Sequence, residues 1–136
     1  MYKTILVPID LAHVEQGKPM IDVAKALADK GAAIILVYVV EDVPARVTAE
    51  LPSGAHKKIL EHAQSELDAM ASLAGLEVDA VIREGHPPTA IIAVAEEKGA
   101  DLIIVASHRP DWHDYLLGST AARVVRHAQC SVLVVR

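Results

Sequence analysis

Gly118-Ser119-Thr120 is the stretch of this chain where residue types and spacing first suggest chemistry. Ser and Thr after Gly, ahead of Ala121 and Val124 at helical spacing, form a helix start signal. The first turn of a helix presents backbone N–H groups without partners in their own helix, at the positive end of the helix dipole. Those groups suit a phosphate or carboxylate. Upstream, Ser107 to Leu117 is a polar run of eleven residues, and connections of that length are often functional. The bland alternative is a long surface connection followed by a capped helix. A second chemical group is Asp10, which directly follows Pro8-Ile9. Its carboxylate is either a loop or helix cap or an acceptor at the open end of a sheet.

Hydrophobic patterning supplies the elements that must position these groups. Thr4 to Ile9 is a strand continuous in Ile, Leu and Val, and Pro8, with no N–H to give a ladder, marks its carboxyl end. Met20, Val23, Ala24 and Leu27 predict a helix over Lys18 to Lys30, stopped by Gly31. Ala33 to Val40 is a second apolar strand, and the segment from Glu41 up to Ser53 reads as loose. A helix over about Gly54 to Ala74 turns Leu60, Ala63, Leu67, Met70 and Ala74 to one side, with Gly75 closing it. Glu77 to Arg83 alternates polar and apolar residues, the pattern of a strand near a sheet edge. Gly85-His86-Pro87-Pro88 turns the chain into a third helix, whose apolar face is Ile91, Ile92, Val94 and Ala95 and whose end is Gly99. Leu102 to Ala106 is a β-branched run suited to burial on both faces. A helix over Ala121 to His127 and a last strand over Ser131 to Val135 complete the chain.

The order β-α-β-α-β-α-β-α-β with right-handed crossovers gives a doubly wound parallel sheet. The expectation is a three-layer α/β/α fold with five strands in order 3-2-1-4-5. Winding reverses between strands one and four, and ligands of such sheets bind outside the carboxyl ends at that reversal. Asp10 ends strand one and Ala106 ends strand four, so both fall there. Strand five is an edge in this order, yet Val132-Leu133-Val134-Val135 is wholly apolar. An exposed apolar edge invites aggregation. The expected cover is the same strand of a second copy about a two-fold axis; the alternative is burial under the chain's own helices.

With 136 residues, positions 1–136 read as a single domain. A hydrophobic share of 52% with no Phe means a core of Val, Ile, Leu and Ala, which suits a parallel sheet. The net charge of −5 and the absence of a basic stripe argue against nucleic acid or a membrane surface as partner. Cys130, the single cysteine, precedes an apolar run and reads as buried filler. No long apolar leader opens the chain, and no apolar run approaches the roughly 20 residues of a membrane span, so a cytoplasmic location is expected.

Enzyme signatures are missing from this site. Gly17-Lys18 is followed by Pro19, without the Walker spacing, and no Gly-x-Gly-x2-Gly follows strand one. Strand one ends in Asp10 alone and strand three in Arg83-Glu84, unlike a phosphoaspartate site. No catalytic residue is assigned, and any phosphate-ester hydrolysis at this site is expected to be slow and incidental. His108 and His113 share the polar run with Asp111 and Asp114, but no zinc spacing occurs and no metal ligand is assigned. Trp112 is mid-run, where it suits a clamp on a ligand, packing in a dimer, or a lid over local apolar surface.

Several segments together resemble the universal stress protein family. They are Lys3-Thr4-Ile5-Leu6-Val7-Pro8-Ile9-Asp10, the Gly85-His86-Pro87 turn, Ala100 to Val105, Leu116-Leu117-Gly118-Ser119-Thr120-Ala121, and Val124 to Val135. The resemblance implies a fold of the adenine nucleotide alpha hydrolase type, binding of ATP (or AMP or ADP, with Mg2+ arriving on the nucleotide), a homodimer through the last strand, and a role in stress. In nucleotide-binding members the motif after strand four is Gly-x2-Gly-x9-Gly-Ser/Thr. Here Ala106 and Arg109 stand at the first two glycines, and eight residues separate Arg109 from Gly118. The shortened, Pro110-containing run resembles a branch of the family that still binds nucleotide. By the same resemblance Pro8, Ile9 and Asp10 lie beside adenine and ribose, with Asp10 accepting from a hydroxyl. The Val39 backbone meets the adenine edge, and Val105 and Ala106 line base and ribose. Ser107, His108 and Arg109 pass ribose and phosphates, and Gly118, Ser119 and Thr120 hold the phosphates. Val132, Leu133, Val134 and Val135 form the dimer interface. The alternative is a family member that binds no nucleotide and acts as a dimeric module for an unknown protein partner.

Overall fold

Alternation along three strands divides the apolar residues between two faces and so builds three layers. In a computed structural model that describes residues 1–42, 44–75, 78–107 and 117–136, Ile5, Val7, Ile34, Leu36, Leu102 and Ile104 turn to one face. There they pack with Met20, Ile21, Ala24, Leu67 and Ala71. Leu6, Ile35, Val37, Ile103 and Val105 turn to the other and pack with Ile91, Val94, Ala95, Ala121 and Val124. The strands are β1 (Tyr2–Pro8), β2 (Ala28–Val40), β3 (Val78–Glu84), β4 (Leu102–Ala106) and β5 (Ser131–Val135). They pair in parallel in the order β3-β2-β1-β4-β5, the order expected. The helices are α1 (Gly17–Leu27), α2 (Ala45–Glu50), α3 (Ala55–Ala74), α4 (Pro87–Lys98) and α5 (Ser119–His127), and a 3-10 helix runs over Leu11–Gln16. The first apolar cluster takes its helical members from α1 and α3, the second from α4 and α5.

Two local expectations are corrected. The first helix stops at Leu27 rather than Lys30, because Ala28 is already extended and pairs with Tyr2. Gly31 therefore caps nothing. It sits inside β2 with φ +79, within the irregularity where the register slips between Tyr2↔Ala28 and Thr4↔Ala33. The segment after β2, read as loose, contains α2. Gly99, by contrast, ends α4 as expected: at φ 66 its N–H reaches Ala95 and Glu96, and the Ala100 N–H donates to the Ala95 carbonyl at 2.8 Å.

Asp101 ties the amino ends of the two central strands. Its Oδ2 accepts from the Lys3 N–H at 2.9 Å, its Oδ1 from the Thr4 N–H at 3.0 Å, and its own N–H donates to the Thr4 carbonyl at 2.9 Å. Partial burial works against the Asp101 charge, but the Lys3 and Thr4 amides outweigh it, and the carboxyl titrates below its ordinary value of 3.8. A depressed native pKa means that its contribution to stability is present above the unfolded value and lost as pH falls through the native one. Asp101→Asn should accordingly cost about 1–2 kcal/mol at neutral pH. The difference from wild type should shrink as urea melts are moved below the ordinary carboxylate range.

Candidate functional site

The site begins with one missing hydrogen. The Ile9 N–H donates to Val37 of β2 at 2.8 Å, so by strand alternation the nitrogen of Pro8 faces β4. Proline has nothing to donate there. The β1–β4 ladder holds only Ile5↔Leu102 and Leu6↔Ile103. On either flank pairing continues to the strand ends: β1 with β2 to Pro8↔Val37, and β4 with β5 to Ala106↔Val135, followed by the Ser107 N–H to the Val135 carbonyl at 2.8 Å. The two central strands thus part at their carboxyl ends while their outer neighbours stay joined.

A cavity of about 600 Å³ opens at that parting. Pro8, Ile9 and Asp10 border it from β1, Val39 from β2, and Val105, Ala106 and Ser107 from β4; Gly118, Ser119 and Thr120 come from the start of α5. His108 and Arg109 lie outside the described residues, as do Trp112 and His113. Sequence reasoning did not place His13, Gln16, Met20, Val37, Tyr38, Glu41, Pro87, Ile91 and Ala121 on the site, although they also border the cavity. Val37, Tyr38 and Glu41 had a signal available: they belong to, or directly follow, the carboxyl half of a strand next to the reversal. Gln16 had none, since the 3-10 helix that holds it leaves no periodic pattern, and Met20 was legible only as part of the apolar face of α1.

Asp10 takes the capping role foreseen for it and also borders the cavity. Its Oδ1 accepts from the Ala12 N–H at 2.9 Å and caps the 3-10 helix, while the side chain stays exposed on the cavity wall. A carboxylate has acceptor sites to spare after one such bond. Nearby, burial first and then the Asp10, Glu41 and Glu66 carboxylates push the Tyr38 phenol above its ordinary pKa. Tyr38 therefore keeps its proton at neutral pH and offers a donor between acceptors. Across the cavity, α5 starts from Gly118 with φ −58 and ψ 155, and no side chain caps it. Its first internal bond is Ala122 N–H to the Gly118 carbonyl at 2.8 Å. The amides of Ser119, Thr120 and Ala121 precede it and have no carbonyl of their own helix to reach. The wall chemistry is thus acceptor and phenol on one side, amide donors on the other, with aliphatic side chains between.

A second groove of about 550 Å³ adjoins the first, sharing Glu41, Pro87, Ser119 and Thr120 and adding Asp42, His86 and Arg123 among others. Among the described residues no cluster of His, Cys, Asp or Glu has the makings of a metal site. Burial pushes the Cys130 thiol up, away from the reactive thiolate. No helix among the described residues is long and apolar enough to cross a membrane.

The model of the universal stress protein family matches residues 1–136, the whole chain. The chain belongs to that family. Universal stress protein G of Escherichia coli O157:H7 is 33% identical to it over 145 residues, with 100% of both chains covered. The solved structure of hypothetical protein MJ0577 superposes with a TM-score of 0.81 at 29% identity, covering 99% of this chain and 96% of that one. A universal stress protein in complex with cAMP shares the fold at a TM-score of 0.72 and 22% identity, covering 99% and 97% of the two chains.

The cap at Asp10 separates structure from ligand chemistry. Asp10→Asn keeps an oxygen for the Ala12 amide and should unfold in urea like wild type. Asp10→Ala should lose about 1 kcal/mol.

Proposed function

We propose that this universal stress protein is a cytoplasmic binding module for an adenine nucleotide. The base sits against Val39, Val105 and Ala106 near Pro8 and Ile9, a ribose hydroxyl donates to Asp10, and the phosphates meet the first turn of α5 with Ser107 alongside. One observation carries the reading: the first turn of α5, which no side chain caps, borders the same crevice as Asp10 at Ser119 and Thr120, bringing helix-end amides and a hydroxyl acceptor to one cavity. The cAMP complex of a fold relative is in keeping with it. The proposed function is binding rather than turnover: the described wall residues supply a hydroxyl acceptor, a phenol and helix-end amides, groups suited to holding a nucleotide. Mg2+ accompanies the nucleotide as its counter-ion; no residue set is assigned to it.

The second reading, an interaction module without nucleotide, draws on Ala106 and Arg109 standing where the family motif has glycine. Glycine lets a phosphate or ribose approach the backbone, and a side chain takes that space. Thermal melts decide between the two. Millimolar ATP should raise the melting temperature by about 5 °C. Gly118→Asp, which sets a carboxylate against the phosphates, should abolish the rise. A wild-type protein indifferent to ATP would leave the interaction module as the function.

The proposed module is a homodimer. β5 pairs with β4 on one side, and Val132, Leu133, Val134 and Val135 are only half-buried by the layers of their own chain. An apolar edge of this kind is satisfied by the same edge of a second copy. Sedimentation should give twice the 14.5 kDa of the chain.

A further inference from the structure

We infer that Arg123, on the second groove, takes the terminal phosphate of a nucleotide bound in the crevice and so selects for the longer phosphate chain. The inference rests on the adenine-nucleotide reading and follows from how charge is distributed over the two cavities. Among the described residues of the crevice, Asp10, Glu41 and His13 are the ionisable groups besides Tyr38, and no Lys or Arg borders it. A phosphate directed inward would meet the Asp10 carboxylate. The anion is therefore drawn outward, over the first turn of α5, where Ser119 and Thr120 belong to both cavities. Arg123 stands on the outer groove. It is four residues after Ser119 and hence on the same side of α5, with a rise of roughly 6 Å between them. A second and third phosphate span such a distance.

The state of the guanidinium supports this. Arg83 is committed to Glu97, with bonds of 2.7 and 2.8 Å to its two oxygens. Arg123 is exposed and has no ion pair or hydrogen bond to any described residue. Its planar fork is suited to bidentate binding of a terminal phosphate. Glu41 and Asp42 border the same groove from the end of β2. They offset the general attraction of the groove for anions, so an added phosphate gains only where it contacts Arg123 directly. A monophosphate, held at the first turn of α5, stops short of it. His86 also borders the groove, with Nδ1 3.3 Å from the Thr89 Oγ1; Arg123 is the permanent cation there among the described residues.

Calorimetric titration of the intact protein with AMP, ADP and ATP tests the assignment. Wild type should bind more tightly with each added phosphate. Arg123→Gln should weaken ATP by about tenfold and leave AMP unchanged, while Arg123→Lys should recover part of the loss. Arg126→Gln, one turn further along α5 and on neither cavity, should bind all three like wild type. Equal ATP affinity in wild type and Arg123→Gln overturns the inference, as does an equal loss for AMP or a wild-type preference for AMP. In each of those outcomes adenine-nucleotide binding itself stands. Failure of all three nucleotides to bind wild type overturns both.

Discussion

The arrangement depends on a hydrogen bond that Pro8 cannot make. In a sheet wound in both directions, the two central strands are covered on every side, and nothing polar can approach them except at their ends. Here β1 and β4 share a ladder of two registered pairs, whereas each holds its outer neighbour to the end. Because the missing donor points at β4 and not at β2, the gap opens between the strands where winding reverses. The same substitution one residue away would have weakened the β1–β2 pairing instead.

The apolar sheet and the polar rim divide the work. Among the described residues no polar or charged side chain is buried, and Ile5, Leu6, Val7, Ile103 and Ile104 are fully enclosed. The chemistry is thereby displaced to the carboxyl edge, where backbone amides, the Asp10 and Glu41 carboxylates and the Tyr38 phenol border an aliphatic floor. Fixed dipoles of this kind need no reorganisation when an anion arrives. Core and crevice meet at the cavity floor, where Ile9, Met20, Val37, Ile91, Val105 and Ala121 belong to both.

The fold was legible because its strands are unusually uniform. Three runs of Val, Ile and Leu can only be central strands, and the alternation over Val78 to Glu84 marks an edge. Asp10, Ala106 and Gly118 could then be brought together from topology alone, although their sequence separation is large. Other features left weaker traces. Gly31 supplies a positive φ equally well to a helix end or a strand irregularity, and pairing of Ala28 with Tyr2 decides for the second. The six residues of α2 are too few to show a periodic stripe. Tyr38 and Glu41 reach the site from a strand read mainly for its burial, and Arg123 looks like any solvated helix residue until the groove beside it is seen.

Asp101 gives the parting of β1 and β4 a direction. By gathering the Lys3 and Thr4 amides and bonding back to the Thr4 carbonyl, it rivets the far ends of the two strands. The pair then resembles a clothes-peg with its spring at Asp101 and its jaws at Asp10 and Ser107. The two strands are thus fixed in register at one end and left without ladder pairs at the other, where the cavity opens.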